Sequence, residues 1–144
     1  MTEKRKLNTK AIVIGWLVDT GGTFIAGIII AILTTAFMAA QGVGADQIPD
    51  KLAGSKAFLN LSLFIGFSFT FIGGFVAAFI AKEEETRHAF AVGVLSLAVS
   101  FIFTIMMTTD PKGFLLLIFI IPFAMLGGYL RKITKKENKT EKQS

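Results

Sequence analysis

Inside the long apolar stretches of this 144-residue chain, one side chain could do charge-based chemistry: Asp19, in "GWLVDTGGTFIAG" (15–27). A carboxylate at the centre of a membrane helix costs about 2.5–3.5 kcal/mol on insertion scales, and more in simulations of isolated helices. Three uses would offset that cost. It could pair with a cation that closes a bundle, accept hydrogen bonds from Thr or backbone groups, or bind a proton, a cation or a cationic substrate. Arg131, in "GGYLRK" (127–132), ends the last apolar segment and is the expected partner, so Asp19 and Arg131 form the candidate intramembrane ion pair or ion site. Lys82, Arg87 and His88 are further cationic candidates at the same level. Indoles favour the headgroup level, so Trp16 marks an edge, and Asp19 is expected about one helical turn inside it.

Other chemistries find no residues to carry them. His88 follows "EEETR" at a loop end and reads as solvated. The three consecutive carboxylates at 83–85 diverge around a helix end and cannot converge on one ion. There is no Ser/His/Asp set, no carboxylate pair at helical spacing within a span and no HExxH; "VDTGGT" (18–23) lacks the lysine that a phosphate loop requires. Cysteine is absent, which excludes disulfides and thiolate catalysis. The expectation is therefore a non-enzymatic protein with no catalytic residue, no cofactor and no metal.

The elements that must position Asp19 are apolar. The chain is 53% hydrophobic and 17% charged, against about 25% charged in soluble domains. Apolar segments cover 11–40, 57–81, 89–108 and 114–130. A span needs roughly 20 helical residues, which the last three supply. The first, about 45 Å long as a helix, must tilt or protrude. A cleaved signal peptide would explain "EKRK" and the small residues of "MAAQG", but the apolar run far exceeds a 7–15-residue signal core. The fold class is thus all-α: a polytopic four-transmembrane-helix bundle forming one domain, 11–130. A segment 1–10 precedes it, and a basic tail, 131–144, follows, either disordered or a frayed extension of the last span.

Four spans put both termini on one side, together with the 82–88 turn, and that side holds twelve of the fifteen basic residues. The positive-inside rule makes it cytoplasmic. The charge then lies against anionic lipid rather than nucleic acid, so the expected partners are the lipid bilayer and anionic lipid at the tail.

Small residues mark the faces that pack, because small side chains let backbones approach in lipid. Gly15, Asp19, Gly22 and Ala26 share one face of the first span. Ser62, Gly66, Thr70, Gly73, Ala77 and Ala81 share one face of the second, opposite Phe64, Phe67, Phe71, Phe75 and Phe79, which are expected to face lipid or a partner. The third span offers Ala89, Gly93, Ser100 and Thr104, and the fourth Ala124, Gly127, Gly128 and Arg131. Gly15, Gly22, Gly66, Gly73, Gly93, Gly127 and Gly128 are the expected helix-packing positions. Pro122, inside "FIIPFAMLGG", predicts a static kink near 118–122.

"GGFVAAFIA" (73–81) followed by "HAFAVGVLSL" (88–97), with the late "GGYLRK", resembles small bacterial four-helix integral membrane proteins of families without an assigned function. That resemblance implies a multi-pass protein of the bacterial inner (cytoplasmic) membrane and carries no activity. The small multidrug-resistance transporters are similar in having four short helices with an acid in the first. Here the acid is Asp19 rather than a glutamate, and the charge bias opposes dual insertion. Holins share the small size and basic tail. The leading expectation is a structural or accessory subunit, homo-oligomeric or joined to a membrane-protein partner through its Phe-rich face. The alternative is a small transporter or ion-conducting protein using Asp19, and the second alternative a holin-like permeabilising protein.

Overall fold

The computed structural model describes residues 7–107 and 111–141. The basic cluster Lys4–Lys6, residues 108–110 and the last three residues lie outside them. Six helical segments follow one another: α1 (Thr9–Ala40), α2 (Ile48–Gly54), α3 (Lys56–Ala81), α4 (Glu85–Met107), α5 (Pro111–Leu117) and α6 (Ile120–Glu141). Among the described residues there is no strand. Four stretches are long and apolar enough to cross a membrane: Thr9–Ala40, Lys56–Ala81, Glu85–Met106 and Phe114–Lys136.

The boundaries have local causes. α1 starts at Thr9 because the Asn8 side chain caps it, accepting the Ala11 N–H at 3.2 Å. The loop after α1 contains α2, with a proline in its first turn, where the missing N–H is unneeded. The tail continues α6 as helix to Glu141. The fourth span is broken at 118–119, where the Ile118 and Phe119 N–H groups fall back on carbonyls three residues earlier. Pro122 has no N–H to offer the Ile118 carbonyl, and the break sits at that carbonyl.

The start of α1 and the part of α6 around Lys135 lie at one end of the bundle, the termini end. The Asn8 N–H reaches His88 Nε2 at 2.9 Å, and α6 folds back onto the turn between α3 and α4. In that turn Lys82 (φ 61°) and Glu84 (φ 50°) adopt the left-handed conformation, which non-glycine residues hold only when their surroundings enforce it. Lys135 enforces it: its ammonium donates to the Lys82 carbonyl and to Glu85 Oε1, the latter at 2.6 Å. Glu85 is only 8% exposed. Lys135→Met should therefore destabilise the bundle by about 1–2 kcal/mol, the range for a partly screened charged hydrogen bond, and Lys135→Arg by less. Denaturant titration of the purified protein in detergent, followed by circular dichroism, measures both.

In cross-section α3 and α4 form the centre. Each touches the other, and both contact α1 on one side and α6 on the other. Glycines set the seams. A Cβ on Gly15 would stand 2.6 Å from the Gly73 carbonyl oxygen, and one on Gly73 2.6 Å from the Gly15 carbonyl oxygen. Between α3 and α6, Gly74 faces the Ala124 carbonyl and Gly127 faces the Phe71 carbonyl. Gly128 and Gly93 seat α6 against α4, and Gly22 lies under the Phe69 ring.

Two expectations need correction. Gly66 has nothing within 4 Å of the position a Cβ would take, so it is not a packing contact. The Phe side of α3 is not wholly outward either. Phe67 stacks on Phe123 of α6 at 4.8 Å between centroids, while Phe64 and Phe79 stay open, 71% and 54% exposed. Both follow from the central position of α3, which must pack on opposite sides at once. Adjacent glycines serve the two sides, Gly73 toward α1 and Gly74 toward α6.

Candidate functional site

The Gly15–Gly73 approach presses α1 onto α3 and carries Asp19 into the seam, where it is 3% exposed. Its Oδ1 accepts the Thr70 hydroxyl at 3.0 Å, and its Oδ2 accepts the Ser96 hydroxyl. Three helices thus meet at one carboxylate. Thr70 lies eleven residues before the end of α3, and Ser96 eleven after the start of α4. At 1.5 Å per residue that is roughly 16 Å along the axis from the termini end of α3 and α4. Trp16 is half-buried in the bundle, with its indole N–H lacking a hydrogen-bond partner among the described residues.

The expected Asp19–Arg131 pair is not formed. Arg131 places its guanidinium 4.6 Å from the centroid of the Phe79 ring, a cation–π contact at the termini end. The separation has a structural reason: α3 and α4 stand between α1 and α6. Arg131 also lies beyond Gly127 and Gly128, which are already level with Phe71–Phe75 and Glu85–Ala89. Two of the other cationic candidates, Arg87 and His88, are engaged at the termini end as well. Arg87 pairs with Glu84 at 3.2 Å. His88 is not solvated but buried, 3% exposed. Its Nδ1–H donates to the Glu84 carbonyl at 3.0 Å, which leaves Nε2 to accept the Asn8 N–H. That assignment of the ring proton follows from the two partners, and it makes His88 a latch between the start of α1 and the start of α4.

From Asp19 a cavity of about 460 Å³ extends toward the far end, between α1, α3, α4 and the α5–α6 junction. Its volume falls within the range of small-molecule pockets, about 300–1,000 Å³. Hydroxyls from Thr20, Thr23, Ser62 and Ser100 line it beside Thr70 and Ser96, and the rings of Phe24, Phe67 and Phe103 form much of the apolar wall. Phe24 and Phe103 meet edge to face at 5.8 Å. The bare backbone at Gly66 keeps this space open. Among the described residues, Asp19 is the one ionisable group in the lining.

Sequence reasoning missed Ser96, although a signal for it exists. Ala89, Gly93, Ser100 and Thr104 leave a gap that Ser96 fills at helical spacing. Thr70 stood on the expected packing face of the second span without being tied to Asp19. No cluster of three or more His, Cys, Asp or Glu side chains that could hold a metal occurs among the described residues. What the arrangement can do is offer one carboxylate, held by two hydroxyls and lacking a basic partner among the described residues, to a proton or a monovalent cation in a mostly apolar chamber. No protein-family model, curated protein or solved structure matches this chain.

Proposed function

We propose that this is a non-enzymatic protein of a bacterial inner membrane, with both termini cytoplasmic, that binds a small monovalent organic cation in the cavity above Asp19. The observation that carries the reading is a buried carboxylate, inside a helix long and apolar enough to span a membrane, that faces a cavity and has no basic partner among the described residues. Two hydroxyl donors offset part of the cost of its charge, and a carboxylate has about four acceptor positions, so acceptor capacity remains for a ligand. Phenyl walls suit a cation with an apolar body. A bare metal ion wants about six oxygens converging at one point, whereas the hydroxyls here are strung along the cavity, Ser62 and Thr70 standing eight residues, about 12 Å, apart on α3. The excess of basic residues around the termini supports the orientation, and the cavity then opens on the outer half of the membrane.

Calorimetry of the purified full chain in detergent with benzyltrimethylammonium tests this. The wild type should bind the probe, and Asp19→Asn should weaken binding at least tenfold while helical content stays unchanged. A wild type that does not bind, or a folded Asp19→Asn variant that binds equally well, overturns the reading.

A structural or accessory role is the second reading, and the outer half of α1 favours it. Ile25, Ile28, Ile29, Ile32, Leu33 and Phe37 are all more than half exposed, so one face of that half presents an apolar surface on which a partner helix can pack. A discrete protein adduct from a photocross-linker at position 33, in cells indifferent to Asp19→Asn, would favour this role over cation binding.

A further inference from the structure

Resting on the cation-binding reading, we propose that a proton and the cation exchange at Asp19, and that the Thr70 hydroxyl serves both states by turning between Asp19 and the Gly66 carbonyl. Thr70 Oγ1 lies 3.0 Å from Asp19 Oδ1 and 3.1 Å from the Gly66 carbonyl oxygen. A hydroxyl has one hydrogen and two lone pairs, so it can donate to one of these acceptors at a time.

With Asp19 ionised, Thr70 and Ser96 both donate to it, and the cation balances its charge. When a proton binds Oδ1, the new O–H donates to Thr70 Oγ1 and the Thr70 hydrogen turns to the Gly66 carbonyl. Ser96 continues to donate to Oδ2. One O–H bond forms, one negative charge disappears and one cation leaves, so charge in the chamber balances throughout. Only a hydroxyl rotation is required, and neither state strands a polar group, which would be costly in hydrocarbon. An arginine partner would forbid this exchange by holding the carboxylate ionised.

The pH dependence belongs to Asp19 alone. Gly66, Thr70 and Gly73 face it from α3 and Ser96 faces it from α4, and none of these titrates. His88, on α4, lies eight residues nearer the termini end, about 12 Å along the axis, and is bonded to Asn8 and Glu84. The proton therefore arrives through the cavity.

Calorimetry of benzyltrimethylammonium binding in buffers of different ionisation enthalpy counts the protons released. Infrared difference spectra across pH report the protonated carboxyl band. Below the pH midpoint, the expected result is about one proton released per cation and an apparent affinity that rises roughly tenfold per pH unit. The carboxyl band should vanish in Asp19→Asn. Thr70→Val should raise the midpoint by about one pH unit, because the ionised form loses the stronger hydrogen bond, and Thr70→Ser should restore it. Cation binding without proton release overturns the exchange and leaves the binding reading standing. A titrating Asp19 band with no cation binding overturns both the exchange and that reading, leaving a proton site.

Discussion

Gly74→Leu should yield no folded bundle, and Gly74→Ala should unfold far more easily than the wild type. A Cβ at this position falls on the Ala124 carbonyl, 2.8 Å from its carbon and 3.0 Å from the Ala124 Cα. Those are backbone atoms, so no rotamer change relieves the contact, and α3 and α6 must separate. Separation also loosens the Gly127 seat on Phe71 and Phe75 and the Phe67–Phe123 stack. In lipid, helices gain little by hiding apolar surface, and close packing carries the association. Overpacking usually costs about 1–3 kcal/mol. A clash between two backbones belongs at the top of that range, a large share of a total stability of about 5–15 kcal/mol. Gly21→Ala is the natural comparison, since nothing lies within 4 Å of its added Cβ, and it should leave stability within about 1 kcal/mol of the wild type. Denaturation in mixed micelles ranks the variants; equal midpoints for Gly74→Ala and Gly21→Ala would show that this seam does not hold the bundle.

Removing both hydroxyls from Asp19, by Thr70→Val with Ser96→Ala, should cost about 3 kcal/mol. Hydrogen bonds between membrane helices average about 0.6 kcal/mol and reach about 1.7 in double-mutant cycles. Those to charged groups run about 1.5–3 kcal/mol. A buried carboxylate acceptor belongs where these ranges meet, so each single variant should lose about 1.5 kcal/mol. Adding Asp19→Ala separates the causes. If the loss comes from a stranded carboxylate, the triple variant is more stable than the double, because nothing charged remains to strand. If the hydroxyls matter only as packing volume, the triple variant is worse, having lost the Asp19 contacts as well.

Asp19 shows why a packing face can be read from sequence while a partner cannot. Its position on the small-residue face of α1 follows from spacing, because side chains three and four residues apart share a side of a helix. Gly15 and Gly73 were legible for the same reason, and they do meet. Arg131 also shared a small face, but a helical wheel says nothing about which helix stands opposite. With α3 and α4 in the centre, the small faces of α1 and α6 turn toward these two helices rather than toward each other. The level of Asp19 within the bundle was hidden for the same reason. It is fixed by Thr70 and Ser96 on neighbouring helices, which the spacing within the first span does not reveal.

The sequence by itself determined the number and approximate limits of the spans and the presence of one carboxylate among them. These depend on apolar length and backbone hydrogen bonding within single helices, which are local. It also marked the break ahead of Pro122, because a missing N–H acts four residues away in the same helix. Only the tertiary structure decided what Asp19 touches, that Gly74 rather than Gly66 seats a neighbour, and that the space beside Gly66 is a cavity. Each of these depends on which helices occupy the centre. That arrangement is a balance of many weak contacts between segments far apart in the chain, and no single stretch of residues contains it.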